Sequence, residues 1–373
     1  MKRITILALH LNYGGIEKFI ANLANSISDD YDIEVVSTYK LLDKPFFDFN
    51  SNIKVKYLIT DLKPNKEELK TSIKQHRFIK FIKELFVSAK ILYLKKHLMI
   101  NYIKKCDSDI IISTRDIHNK WLGKYGKDKI LKIGSEHNDI DSTKYIKKIA
   151  KTAFNLNYFV VVSKKMVNDY KKYLNIPVIH IPNSITMLPK SFSNFESNNI
   201  ISVGRLEKIK AYEDLIDVFK IVSASNKSVV LNIIGSGSEF DNLNEKLKKL
   251  NLENNIKLLG YKNAKELYDL YNNSSIYVMT SISESFGIVI LEAMSHKLPC
   301  IAFDSANGAC ELISDNKNGY LIKNRDKAEM AHKILELIDN KDKCIKMGEN
   351  SFNKSKEYLS KNIKQKWVDI FEK

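Results

Sequence analysis

The chain begins with an apolar run at residues 4–9, and after a polar corner Ile16, Phe19, Ile20, Leu23, Ala24 and Ile27 return at helical spacing. This pairing of strand and amphipathic helix recurs. Strand-like runs at 33–37, 110–113, 130–133 and 158–162 alternate with a long basic segment and a helical pattern around 145–154. The alternation breaks at Ile181-Pro182-Asn183-Ser184 and through the polar stretch 191–199, which reads as a linker. It then resumes with strand patterns at 200–203, 229–234, 256–258, 276–279, 300–303 and 320–322. Helical patterns at 212–223, 239–250, 264–271 and 289–295 lie between them, and helices follow to the end. Such alternation predicts parallel strands with crossover helices, arranged as two Rossmann-like halves facing one another.

Length agrees with two halves, because 373 residues exceed what one core usually supports. Met1-Lys2-Arg3 and the apolar run after it imitate a signal peptide, but Asn12-Tyr13-Gly14-Gly15 offers no small-residue cleavage site, so the run is expected to be the first strand. No uncharged run reaches the length of a spanning helix. Cys106, Cys300, Cys310 and Cys344 show neither a paired metal spacing nor a disulfide framework, which predicts a reduced cytosol and no structural zinc.

The formal net charge of +16 requires anionic company, and it is concentrated. Between Lys63 and Lys105 twelve Lys or Arg face Glu67, Glu68 and Glu84, a net of +9 and more than half of the total. Phe78, Phe81, Ile82, Leu85, Ala89, Leu92, Met99 and Ile103 recur at helical spacing there, interleaved with Arg77, Lys80, Lys83 and Lys90. A basic amphipathic face over residues 66–105 either lies on an anionic membrane surface or covers a core with a solvated basic back. Nucleic acid is not expected as a partner, since no helix-turn-helix, zinc-finger or RNP signature accompanies the charge.

The candidate chemistry lies at strand ends. Glu284 and Glu292 bracket seven residues after the run 276–279, with Ser285, Phe286 and Gly287 forming a corner before apolar helical spacing. In an open parallel sheet that corner lies at the carboxyl edge, where ligands bind, and the helix start favours an anion. A phosphate plus two acceptors for hydroxyls suggests a nucleotide sugar. Arg205 and Lys210, after the run 200–203, fit a diphosphate, one as a guanidinium fork and one as a point charge. Gly14-Gly15 gives a turn whose backbone approaches a ligand closely, while Gly235-Ser236-Gly237 is too short for a dinucleotide fingerprint. His137, in Ser135-Glu136-His137-Asn138, sits at a strand end of the first half. Asp107-Ser108-Asp109 precedes a strand and is expected at the amino edge, away from the cleft and not as a metal site.

Gly14-Gly15, Glu136-His137, Val161-Val162-Ser163, Pro182-Asn183, Gly204-Arg205-Leu206 with Lys210, Gly235-Ser236-Gly237, Gly260, the Glu284/Glu292 pair and Gly308-Ala309-Cys310-Glu311 stand in an order that resembles glycosyltransferase family 4 across nearly the whole chain. The resemblance implies the GT-B architecture: an acceptor domain at 1–183, a donor domain at 184–357, and a helix at 358–373 returning to the first domain, anchored by Trp367, Val368 and Phe371. It implies that Arg205 and Lys210 hold the donor diphosphate, Glu292 the ribose, and Glu284 the transferred sugar with Ser285, Phe286 and Gly287 nearby. Gly14 and Gly15 would approach the phosphates, and His137 the sugar's reacting face. Transfer is then retaining and needs no bound metal or other cofactor, the donor being a nucleotide sugar, expected to be a UDP-sugar. Ala211 and Ser285 stand where the family often has Gly. The expected acceptor is a saccharide or polyprenyl-linked saccharide, in cell-surface polysaccharide assembly at the inner face of the cell membrane. The alternatives are a non-catalytic GT-B scaffold subunit or a nucleotide-sugar epimerase.

Overall fold

Buried β-branched runs fix the strands, and each amphipathic helix covers a sheet face, so the chain builds two layered lobes. The first contains β1 (Arg3–Ala8), α1 (Gly15–Ile27), β2 (Asp32–Tyr39), β3 (Lys54–Ile59), α2 (Lys66–Lys74), α3 (Phe78–Lys105), β4 (Ile110–Ser113), α4 (Asp116–Tyr125), β5 (Leu131–Glu136), α5 (Thr143–Ala150), β6 (Tyr158–Val161), α6 (Lys164–Lys171) and β7 (Val178–His180). The second contains β8 (Asn199–Val203), α7 (Tyr212–Ser225), β9 (Val230–Ile234), α8 (Phe240–Leu250), β10 (Ile256–Leu258), α9 (Ala264–Asn272), β11 (Ile276–Met279), α10 (Ile288–Ser295), β12 (Cys300–Phe303), α11 (Asn307–Leu312), β13 (Gly319–Ile322), α12 (Lys327–Asp339) and α13 (Lys341–Lys356), and the chain ends in α14 (Ser360–Phe371). This computed structural model describes residues 1–140 and 142–373, with Lys66 described by its backbone alone.

The sheets run β3-β2-β1-β4-β5-β6-β7 and β10-β9-β8-β11-β12-β13, and the paired strands are parallel. In each sheet the chain winds one way and then the other, so a topological switch point opens between β1 and β4 and between β8 and β11. Crevices at the carboxyl ends of such strands hold ligands. The loops after β1, β4, β8 and β11 carry Gly14-Gly15, Arg115, Arg205 with Lys210, and Glu284.

Five elements were not visible in the hydrophobic pattern, among them the short helix α11. Strand β3 is an edge strand with Lys54 and Lys56 among its apolar residues, and β7 has three residues. Helices α4 and α6 bury only part of their length, under Trp121 and Leu122 and under Met166 and Tyr170. The polar pair Asp107 and Asp109 lies at the amino edge, tied to the side chain and the backbone N–H of Arg3.

Helix α14 lies on the first lobe. Trp367 and Phe371 are buried, with ring centroids 6.0 Å from Phe19 and 5.5 Å from Tyr31, and Lys364 pairs with Asp30 at 2.5 Å. Helix α3 divides in two. Ile91, Met99, Ile100 and Ile103 are buried, whereas Phe78, Ile79, Leu85, Phe86, Leu92 and Tyr93 are exposed.

Candidate active site

The second lobe's strand ends are shaped by backbone approach. Gly235 adopts φ +145°, and a Cβ there would stand 1.9 Å from the Gly204 carbonyl oxygen, so the Gly-Ser-Gly turn lets β9 and β8 end side by side. The Leu206 N–H donates to the Ser236 carbonyl at 2.9 Å, which fixes the Arg205 loop from below. Beyond it the chain makes one 3-10 turn, Lys208–Lys210, and Ala211 enters α7 in the left-handed region at φ 48°. That conformation explains why glycine suits the position. Ala211→Gly is expected to raise stability by about 1 kcal/mol. A thermal midpoint that stays level or drops would show that the turn holds no strain.

After β11 the chain forms the corner that carries Glu284, and Gly287 at φ 80° opens α10. Phe286 is fully buried, 5.6 Å from the Tyr358 ring. Gly308 packs directly on this corner: its N–H donates to the Glu284 carbonyl at 2.8 Å, and a Cβ would come 2.3 Å from the Phe286 backbone. Glu284 is thus held by its backbone while its carboxylate remains available at the cleft. That carboxylate pairs with the Lys210 ammonium. Arg205 is exposed, and among the described residues its guanidinium carries no ion pair.

Glu292, one turn into α10, pairs across the cleft with Lys18 of α1. Burial lowers the Lys18 ammonium to about 8. The two carboxylates therefore each hold one lysine, from opposite lobes. Gly14 is the cap residue of α1, and nothing lies within 4 Å of a Cβ built on Gly15.

The loop after β5 is bound to the second lobe by side-chain donors. The Ser285 hydroxyl donates to the His137 carbonyl at 2.5 Å, and the Ser283 hydroxyl and Asn307 amide reach the Asp139 carbonyl and carboxylate. Ser285 spends its hydroxyl on this junction. His137 itself is buried beside Phe19, ring centroids 4.3 Å apart, with Nε2 3.0 Å from the Ser135 hydroxyl. Burial first, then the nearby Arg115 charge, lowers its imidazole to about 3, so it stands neutral at physiological pH. The structure therefore brings His137, Glu284, Ser285, Phe286, Gly287 and Lys210 to one junction, Gly14, Gly15 and Glu292 to the facing helix starts, and leaves Arg205 at the rim.

Four residues here escaped sequence reasoning. Glu17, buried in α1, accepts from the Arg115 guanidinium at 2.8 Å, and His10 Nδ1 lies 3.4 Å away. Lys18 is the fourth. The available signal was Glu17, a carboxylate standing among Ile16, Phe19 and Ile20 on an apolar helix face. Glu136 caps its own loop, accepting the His137 and Asn138 N–H groups at 3.0 and 2.7 Å, and burial raises its carboxyl to about 7.

Two parallel-sheet lobes with paired cations and carboxylates at their facing strand ends define a GT-B transferase acting on a nucleotide sugar. Residues 185–354 match the family described as glycosyl transferases group 1, and the chain is a glycosyltransferase of GT-B fold that resembles glycosyltransferase family 4. An uncharacterized glycosyltransferase of Haemophilus influenzae is 26% identical over 99% of this chain and 100% of its own. The poly(ribitol-phosphate) alpha-N-acetylglucosaminyltransferase of Staphylococcus aureus is 29% identical over 64% of this chain, which spans 49% of that protein. The amylovoran biosynthesis glycosyltransferase AmsD of Erwinia amylovora is 24% identical over 96% of each chain. In fold, the chain matches a mutant of S. aureus TarM, crystallised with Fondaparinux, alpha-GlcNAc-glycerol and UDP, over 100% of both chains with a TM-score of 0.79 and 19% identity.

Proposed function

We propose that this enzyme transfers a sugar from a UDP-sugar, without a bound metal, to a saccharide or lipid-linked saccharide of a cell-surface polymer. The observation that carries the reading is the pairing of Lys210 with Glu284 beside unpaired Arg205, all at the second lobe's switch point. Lys210 and Arg205 would take the diphosphate and stabilise its charge as the glycosidic bond breaks. Glu292 would accept from the ribose hydroxyls and Glu284 from the sugar, with neutral His137 and the Phe286 and Gly287 backbone beside the reacting face. Gly14 and Gly15 at the start of α1 would meet the phosphates from the other lobe. Relatives named for poly(ribitol-phosphate) and amylovoran support a surface-polymer acceptor.

The test is thermal shift and nucleotide release with UDP-, GDP- and ADP-sugars, with and without EDTA. Stabilisation and EDTA-insensitive release with a UDP-sugar are expected. Release only with another nucleotide's sugar would remove the UDP reading, and loss of release in EDTA would remove metal independence.

The acceptor's lipid would be met by α2 and the first half of α3. Ile73, Phe78, Ile79, Leu85, Phe86 and Leu92 are exposed there, and Arg77, Lys80, Lys83 and Lys90 lie among them. Apolar side chains entering a headgroup layer and cations over anionic lipid act together. Vesicles containing phosphatidylglycerol should bind the protein at low salt, and Phe78→Ser with Phe86→Ser should weaken binding by about 10-fold or more, given roughly 1.5–3 kcal/mol per buried aromatic. Equal binding to neutral vesicles, or none to anionic ones, would overturn the membrane contact.

A further inference from the structure

The two site carboxylates are neutralised by lysines of different origin. Lys210 belongs to the same lobe as Glu284, but Lys18 crosses from α1 to reach Glu292. A nucleoside diphosphate sugar would rearrange both pairs. Its ribose hydroxyls donate to a carboxylate, and its phosphates compete for the ammonium groups.

Lys18 is well placed for that exchange. It is the fourth residue of α1, counted from Gly15, and helical side chains lean back toward the amino end. The Gly14-Gly15 turn at the helix start therefore lies on the side toward which the released ammonium turns. The Phe47 ring lies over the ammonium, its centroid 5.9 Å from Nζ. A partly desolvated ammonium gains more from a new anionic partner than a hydrated one, and the lowering of Lys18 to about 8 reflects that desolvation.

We propose that Lys18 is the first lobe's cation in the donor site: it holds Glu292 before the nucleotide arrives, then passes to the donor diphosphate as the ribose takes that carboxylate. This rests on the donor reading above and adds a residue to it.

The test compares UDP with UMP by titration calorimetry on wild type, Lys18→Met, Lys18→Arg, Glu292→Gln and the Lys18→Met/Glu292→Gln double variant. Loss of one charge-assisted contact should weaken UDP about 10-fold in Lys18→Met, with UMP changed by less than about 3-fold. Lys18→Arg should remain within about 3-fold of wild type for both, which separates lost charge from misfolding. Glu292→Gln should weaken UDP and UMP alike, and the Lys18→Met penalty on UDP should persist in its background. Tighter UDP binding by Lys18→Met would mean that the pair only bars the nucleotide and would overturn the proposal. So would equal losses for UDP and UMP, or a penalty that vanishes with Glu292→Gln, since Lys18 would then act only by placing that carboxylate. If wild type binds GDP or ADP instead, the same comparison runs with that diphosphate and its monophosphate. A wild type that binds none of the three fails at the donor reading itself, a result distinct from any loss confined to Lys18→Met.

Discussion

Replacing Lys210 or Arg205 with Ala is expected to lower sugar transfer by about 30- to 1000-fold, because each removes roughly 2–4 kcal/mol of stabilisation from the departing diphosphate. The two variants should differ in everything else. Arg205 is exposed and carries no ion pair among the described residues, so its removal should leave the thermal midpoint unchanged. Lys210 neutralises a Glu284 side chain that is 18% exposed, so Lys210→Ala strands a partly buried carboxylate. That variant should also lose some stability, and Lys210→Ala/Glu284→Gln should recover the midpoint but not the rate. Initial rates of nucleotide release at saturating donor, beside thermal unfolding, measure both effects. Full activity in either single variant would remove that residue from the leaving-group site, whatever its stability.

How much of this was legible in the chain depends on whether a feature is local. The corner from Met279 to Ile288 is: an apolar strand, a glycine able to adopt φ 80°, and an apolar helix leave little choice, so Glu284 and Glu292 could be placed from spacing. The Lys210 loop is equally local, although the left-handed Ala211 was not foreseen, because alanine gives no sign of that conformation. Edge strand β3 alternates lysine with apolar residues and looks like surface until its partner β2 is known. Pairing across the cleft is the extreme case. Lys18 and Glu292 are far apart in sequence, and only docking of the two lobes brings them together. Helix α3 shows the same limit from another side. Its apolar stripe continues through both halves, and spacing cannot tell that Ile91, Met99, Ile100 and Ile103 find a core while Phe78, Leu85 and Leu92 stay exposed.

Acidification should destabilise this enzyme well before its carboxylates are exhausted. His118, His137 and His296 are buried and neutral: burial lowers them to about 3, about 3 and about 4 from an unfolded value near 6.5. The unfolded chain therefore binds up to three protons that the folded chain refuses, and stability falls as pH drops below about 6.5. Glu136 opposes this. With its folded carboxyl at about 7 and an unfolded value near 4.5, the native state binds its proton first, which adds stability as pH falls from about 7 to 4.5. At roughly 1.4 kcal/mol per proton and pH unit, three histidines against one glutamate leave a net loss on the order of 3 kcal/mol between pH 7.5 and pH 5. That is a large part of a typical folding free energy of about 5–15 kcal/mol. Thermal midpoints at pH 5, 6 and 7.5 should fall accordingly, and Glu136→Gln should make the fall steeper, because the opposing proton is gone while an acceptor for the His137 and Asn138 N–H groups remains. A midpoint that is flat from pH 7.5 to 5 in wild type would mean that these imidazoles reach solvent or an acid partner in the folded enzyme. A variant with an unaltered slope would mean that Glu136 is already ionised across this range.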